Sequence, residues 1–76
     1  MEIKVLGSGC PSCKKLEKLV YIALEKLGKE EVVIKVTEYK DILSYGVMST
    51  PALVIDGEVK FAGRVPSVPK LKEYLK

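Results

Sequence analysis

The stretch Gly7-Ser8-Gly9-Cys10-Pro11-Ser12-Cys13-Lys14-Lys15 contains both cysteines of the chain, between a short apolar segment and a long amphipathic one. Residues three apart on a helix are neighbours, with Cβ atoms about 5–6 Å apart. A disulfide needs Cα atoms that are about 4.4–6.8 Å apart. Cys10 and Cys13 can therefore close a disulfide, and open it again, with little movement of the backbone.

The position of the two cysteines at the start of a helix should make their thiols different. Pro11 suits the first helical position, where its missing N–H costs nothing, and this places Cys10 at the N-cap. The Cys10 sulfur then faces the unpaired amides of the first turn and the positive end of the helix dipole. Such a site lowers a thiol pKa from about 8.5 into a range of roughly 3.5–7.5. Lys14 and Lys15 add positive charge nearby.

An apolar stripe with helical spacing follows the motif, and it predicts which cysteine is buried. Its members are Leu16, Leu19, Val20, Ala23, Leu24 and Leu27. Cys13 extends this stripe by one turn, so we expect Cys13 to be buried and Cys10 to be exposed at the helix tip. An exposed thiol of low pKa beside a buried partner is the arrangement of a nucleophile and a resolving cysteine.

Two other interpretations of the cysteine pair remain open at this point. A structural disulfide across four residues would contribute about 2 kcal/mol by the chain-entropy formula, against about 3 kcal/mol for a 15-residue loop. A zinc site needs four protein ligands, or three and a water. The chain has two Cys and no His, so one copy could complete such a site only with carboxylates or as a dimer.

Length and composition exclude several classes of function. The 76 residues, 47% of them hydrophobic, suit a single domain spanning 1–76. The net charge of +3 is spread along the chain and there are few aromatic residues, which does not favour nucleic-acid binding. We see neither a signal-peptide pattern nor a membrane-length apolar run, so we expect a cytoplasmic protein without membrane contact. In that compartment a lone CxxC is more often catalytic or metal-binding than structural.

The rest of the chain predicts the order β-α-β-α-β-β-α and an α/β fold. The predicted elements are strand Glu2–Leu6, helix Pro11–Leu27, strand Glu31–Thr37, helix Tyr39–Tyr45, strands Ala52–Ile55 and Glu58–Ala62, and helix Val68–Leu75. The first two strands should be parallel through a right-handed crossover, and Asp56-Gly57 predicts a hairpin between the last two. The partly polar second strand suits a sheet edge, with Val32, Ile34 and Val36 on one face. The all-apolar third strand should be buried on both faces.

The order of elements and motifs resembles the thioredoxin/glutaredoxin superfamily in its minimal form. A strand is followed by Cys10-Pro11-Ser12-Cys13 at the start of a helix, and later by Thr50-Pro51 at the start of a strand and a hairpin. The chain is most similar to the small archaeal and bacterial thioredoxin-like redox-active disulfide proteins, over its whole length. The resemblance implies a four-stranded mixed sheet flanked by helices. It also implies a cis peptide bond between Thr50 and Pro51 beside the disulfide.

The resemblance assigns Cys10 as the attacking thiolate and Cys13 as the resolving thiol, with Gly9, Pro11 and Ser12 forming the active-site turn. It gives the backbone of Thr50, before the cis Pro51, the role of pairing with a bound substrate strand. Gly63 matches a family glycine near the site. The implied activity is thiol–disulfide exchange with protein disulfides, without a cofactor or a metal, and a reductase or dithiol must recycle the pair. We also expect the protein to be a monomer.

Several residues depart from the family pattern. The chain has no Trp before its first cysteine, and Pro11-Ser12 replaces the Gly-Pro of thioredoxins. The first strand offers only Glu2 and Lys4, so we find no counterpart of the buried acid that deprotonates the resolving thiol. The glutaredoxin residues that bind glutathione are also not matched.

Two competing functions stay open from the sequence alone. Heavy-metal-associated domains, which carry copper or zinc on two thiolates, also place CxxC between a strand and a helix. They end in a strand, however, and lack the Thr-Pro pair. A thioredoxin-like domain that only binds partners is the other alternative.

Overall fold

The structure is a computed structural model that describes all 76 residues. Its elements follow the predicted order: β1 (Ile3–Leu6), α1 (Pro11–Leu27), β2 (Val33–Val36), α2 (Tyr39–Ser44), β3 (Ala52–Ile55), β4 (Glu58–Ala62) and α3 (Val68–Leu75). The four strands form one sheet in the order β2-β1-β3-β4. β1 and β2 pair in parallel, and the other two pairings are antiparallel. The predicted α/β class and mixed sheet are confirmed.

Helix α1 begins and ends where the sequence predicts. Cys10 has an extended backbone and occupies the N-cap, and Pro11 opens the helix. At the other end Gly28 adopts a left-handed conformation, with φ of 70°, which stops the helix at little steric cost. The Gly28 N–H donates to the Glu25 carbonyl at 3.1 Å. The CxxC motif therefore lies at the start of a regular helix of 17 residues.

The two faces of the sheet are covered very differently. Helices α1 and α3 pack on one face and enclose the large core, which comprises Ile3, Val5, Leu16, Val20, Ala23, Leu24, Val33, Leu53, Ile55, Phe61, Leu71 and Leu75. Helix α2 packs on the opposite face and encloses the small core, which comprises Leu6, Ile42, Val47, Ala52 and Val54. Strand β3 contributes to both cores in alternation, so its predicted burial on both faces is confirmed.

The predicted hairpin between β3 and β4 is present. Asp56 and Gly57 both have positive φ, 51° and 81°, as a two-residue type I′ turn requires. The Asp56 carboxylate accepts a hydrogen bond from the Glu2 amide at 2.8 Å, and the Asp56 amide donates to the Glu2 carbonyl at 2.8 Å. These two hydrogen bonds attach the turn to Glu2, at the end of β1 that lies away from the cysteines.

Strand β2 is shorter than predicted, and its apolar face is largely uncovered. It lies at the sheet edge, as expected, but only Val33 is buried, while Val32 is 77% exposed. Ile34 and Val36 face the side of α2, where Val36 packs against the small core and Ile34 stays 43% exposed. The other differences lie at element ends: β1 begins at Ile3, and α2 ends one residue before Tyr45.

Candidate active site

The cysteine pair lies where β1 ends and α1 begins. Cys10 and Cys13 form a disulfide, and their Cα atoms are 5.1 Å apart, within the range that the spacing predicts. Pro11 and Ser12 are exposed at the helix tip between them. Gly9, with φ of 89°, lies in open space and turns the chain into Cys10. Formation of the disulfide therefore requires no rearrangement of the helix.

Cys10 occupies the N-cap of α1 and is half-buried, so it is less exposed than the sequence predicts. Its Sγ accepts a hydrogen bond from the Cys13 amide at 3.2 Å, which satisfies one of the unpaired donors of the first helical turn. The same donor and the helix dipole stabilise a thiolate after reduction, and Lys14 and Lys15 are exposed on the next positions. Cys10 is therefore the sulfur that a solvent-borne disulfide can reach.

Cys13 is buried, with 5% of its surface exposed, and it packs directly against Gly7. A Cβ atom on Gly7 would stand 2.9 Å from the Cys13 Cβ, and closer still to its sulfur. Gly7 is itself buried, and its amide donates to the Val36 carbonyl at 2.9 Å, which extends the sheet past β1. Only a glycine at this position leaves room for the inner cysteine.

Sequence reasoning missed this function of Gly7, although a signal was available. Ile3 and Val5 face α1, so the two-residue period of the strand places Gly7 on the same face. The next inward position of β1 therefore meets the first turn of α1, where Cys13 stands.

The Thr50–Pro51 peptide bond is cis. Thr50 is exposed and Pro51 is buried. The Thr50 Cβ would be 4.0 Å from a Cβ on Gly7, so the threonine adjoins the glycine that covers Cys13. Thr50 lies outside the β-ladders, and the turn and loop hydrogen bonds do not use its amide or its carbonyl. These backbone groups are therefore free to pair with another chain.

Gly63 contacts the residues on both sides of Thr50. Its amide donates to the Pro51 carbonyl at 2.8 Å, and its φ is 75°. A Cβ on Gly63 would stand 2.9 Å from the Ser49 Cβ. The contacts of Gly63 are thus with the segment that carries Thr50, and through this segment the glycine adjoins the site.

An apolar groove continues from Thr50 along the face of α2. It has a volume of about 130 Å³ and is lined by Ser8, Tyr39, Ile42, Leu43, Val47, Met48 and Thr50. Met48 is 95% exposed, and Tyr39 and Leu43 are also largely exposed. Sequence reasoning did not single out Met48, because one apolar residue in a loop carries no periodic signal.

A smaller cavity lies on the inner side of the disulfide. It has a volume of about 70 Å³ and is lined by Val5, Gly7, Gly9, Cys13, Lys14, Glu17, Lys35 and Thr37. The Lys35 Nζ lies 3.6 Å from a carboxylate oxygen of Glu17. The sequence shows no acid on β1 that could lie beside Cys13. In the structure, Glu17 of helix α1 lines the same cavity as Cys13.

The structure contains no group of three or more His, Cys, Asp or Glu side chains that could hold a metal ion together. Helix α3 follows β4, at the place where heavy-metal-associated domains have their last strand. Separately, none of the helices combines the length and apolar character needed to cross a membrane.

Comparisons with known proteins agree with this geometry. A family model described as a thioredoxin domain matches residues 1–76. A thioredoxin from Methanothermobacter thermautotrophicus is 39% identical over 75 residues, which cover 99% of this chain and 97% of that protein. A thioredoxin from Methanocaldococcus jannaschii is 38% identical over 74 residues, which cover 97% of this chain and 85% of that protein.

Proposed function

The chain belongs to the thioredoxin domain family, and from this premise we propose that it exchanges disulfides with other proteins through Cys10 and Cys13. Thiol–disulfide oxidoreductase activity follows from the family and from the disulfide at the start of α1. One observation carries the finer proposal. The half-buried Cys10 and the buried Cys13 are held one helical turn apart, near Thr50, whose amide and carbonyl make no backbone hydrogen bond.

The first step of the proposed reaction belongs to Cys10. Its thiolate attacks one sulfur of a substrate disulfide, forms a mixed disulfide and releases the other substrate sulfur as a thiolate. The N-cap position and the Cys13 amide stabilise the thiolate before the attack. Pro11 and Ser12 are exposed on the helix tip, so a substrate can approach Cys10 from solvent.

The second step belongs to Cys13. Its thiolate attacks the Cys10 sulfur, forms the internal disulfide and releases the remaining substrate sulfur. Burial against Gly7 keeps Cys13 from attacking solvent-borne disulfides directly. A reductase or a dithiol then returns the pair to its reduced form, and the reaction needs no further cofactor.

The segment around Thr50 supplies the binding surface for the substrate. Its free amide and carbonyl can pair with an extended chain, as the family resemblance implies, and the cis Pro51 and Gly63 hold the segment in place. The apolar groove beside it suits an apolar side chain close to the substrate cysteine. These features favour a protein over a small polar disulfide as the substrate.

We infer that residues 1–76 act as one thioredoxin-like domain and as a monomer, in the cytoplasm and without nucleic acid or membrane. The support is the match over residues 1–76 and the charge that is dispersed along the chain. Size-exclusion chromatography with light scattering tests the monomer.

Trapping of the mixed disulfide tests the division of roles. Cys13→Ser should accumulate a covalent adduct with insulin that migrates as one species on a non-reducing gel, because the resolving step is lost. Cys10→Ser is the matched control and should give no adduct, because its remaining thiol is buried. Mass spectrometry should locate the adduct on Cys10. The proposal fails if the folded Cys13→Ser protein forms no adduct, or if Cys10→Ser forms it instead.

A further inference from the structure

The resolving step poses a problem of proton transfer at Cys13. This thiol must lose its proton before it can attack, since the thiolate is the nucleophile. Cys13 is buried, and burial in apolar surroundings raises the pKa of a thiol. The helix terminus does not solve the problem, because the Cys13 amide is directed at the Cys10 sulfur. Another group must therefore accept the proton.

The cavity on the inner side of the disulfide contains such a group. Glu17 follows Cys13 by four residues on α1, so both side chains lie on the same face of the helix. Both line the cavity of about 70 Å³, and the Glu17 side chain is only 23% exposed. No other carboxylate lines this cavity.

The fold places a positive charge against this carboxylate. Lys35 pairs with Val5 across β1 and β2, which directs its side chain towards α1 on the face of the large core. Its Nζ lies 3.6 Å from Glu17, so the ion pair holds the carboxylate at the cavity. Lys14 is the other charged group that lines the space, and Thr37 is polar but does not titrate. Neither lysine can act as the base while it is an ammonium ion.

We propose that Glu17 accepts the proton of the Cys13 thiol during the resolving step, with Lys35 positioning its carboxylate. A cavity of this size is large enough to hold a water molecule, so the proton can pass directly or through one water. The assignment rests on the proposed function, because it concerns the second of the two exchange steps.

The Cys13 S–H bond breaks and its proton passes to the Glu17 carboxylate. The Cys13 sulfur then bonds to the Cys10 sulfur, while the bond between Cys10 and the substrate sulfur breaks. The substrate leaves as a thiolate, which takes a proton from solvent, and Glu17 returns its proton to solvent. The two protein thiols are oxidised and the substrate disulfide is reduced.

Ellman's disulfide reagent separates the two steps in a stopped-flow trace. Its first coloured thiolate is released by the Cys10 attack, at a rate proportional to reagent concentration. The second is released by Cys13, at a rate that does not depend on reagent concentration. Glu17→Gln should slow the second release by about 10²-fold near neutral pH, the usual contribution of a general base, and leave the first release unchanged.

Three comparisons distinguish a proton acceptor from a structural ion pair. In Glu17→Gln the second rate should rise steeply with pH, because the Cys13 thiolate must form without the carboxylate, whereas the second rate of the unaltered protein should depend less on pH. Glu17→Asp should restore part of the rate, because it returns a carboxylate to the cavity. Glu25→Gln removes an exposed carboxylate from the same helix and should leave both rates unchanged.

The outcomes separate this inference from the proposed function. The inference is overturned if Glu17→Gln leaves the second rate and its pH profile unchanged, or if Glu17→Asp behaves like Glu17→Gln. An equal slowing of both releases would assign Glu17 a purely structural role. Failure of the first release in the unaltered protein would instead contradict the proposed function of Cys10.

Discussion

The two faces of the sheet differ in the number of residues buried in their cores and in what they contribute to the site. The large core has 12 buried residues from both long helices and four strands, and Cys13 lies at its edge. The small core has five, beneath a helix of only six residues, and it leads to Thr50 and the exposed Met48. The first face provides the rigidity that holds the disulfide, and the second leaves apolar surface free for a partner.

The largest effect that tests this difference is on stability. Leu16→Ala removes a fully buried side chain from the large core, and we expect a loss towards the upper end of the range of about 2–5 kcal/mol for such substitutions. Ile42→Ala in the small core should cost nearer to about 2 kcal/mol, because fewer neighbours surround its cavity. Urea denaturation measures both free energies of unfolding. A loss for Ile42→Ala equal to that for Leu16→Ala would remove the distinction between the cores.

A smaller effect is expected at Met48, on binding alone. Met48→Ala should leave the unfolding midpoint unchanged, because the side chain is 95% exposed. It should lower kcat/KM for insulin reduction about fivefold, the equivalent of about 1 kcal/mol of lost apolar contact. The rate with Ellman's reagent should stay the same, since that reagent is too small to need the groove. An equal loss with both substrates would contradict a binding surface for proteins at Met48.

Much of the fold could be predicted from the sequence because its signals are local. Cys10, Pro11 and the apolar stripe define the start and face of α1, and Gly28 defines its end. The four apolar residues of β3 and the Asp56–Gly57 turn are equally local. The burial of Cys13 follows from the same helical period, whereas Cys10, which was expected to be exposed, is half-buried.

The parts that could not be predicted depend on contacts between distant elements. Lys35 meets Glu17 only because β2 pairs with β1 in a register that places Lys35 opposite Val5. The exposure of Ile34 depends on how little of the sheet α2 covers. Neither the register nor the coverage is visible in the sequence of a single strand. Gly7 is intermediate, since the strand period places it inward but does not show what it meets.

A redox titration of the purified, metal-free protein tests the central claim most directly, that Cys10 and Cys13 form a working redox pair. The protein is equilibrated with dithiol buffers of graded potential, and its free thiols are counted by alkylation and mass. We predict one reversible two-electron transition between roughly −120 and −300 mV, the range of catalytic dithiol–disulfide pairs, whereas structural disulfides typically have lower potentials. A pair that stays reduced throughout, or that cannot be cycled reversibly, would contradict the claim and direct attention to copper(I) or zinc binding.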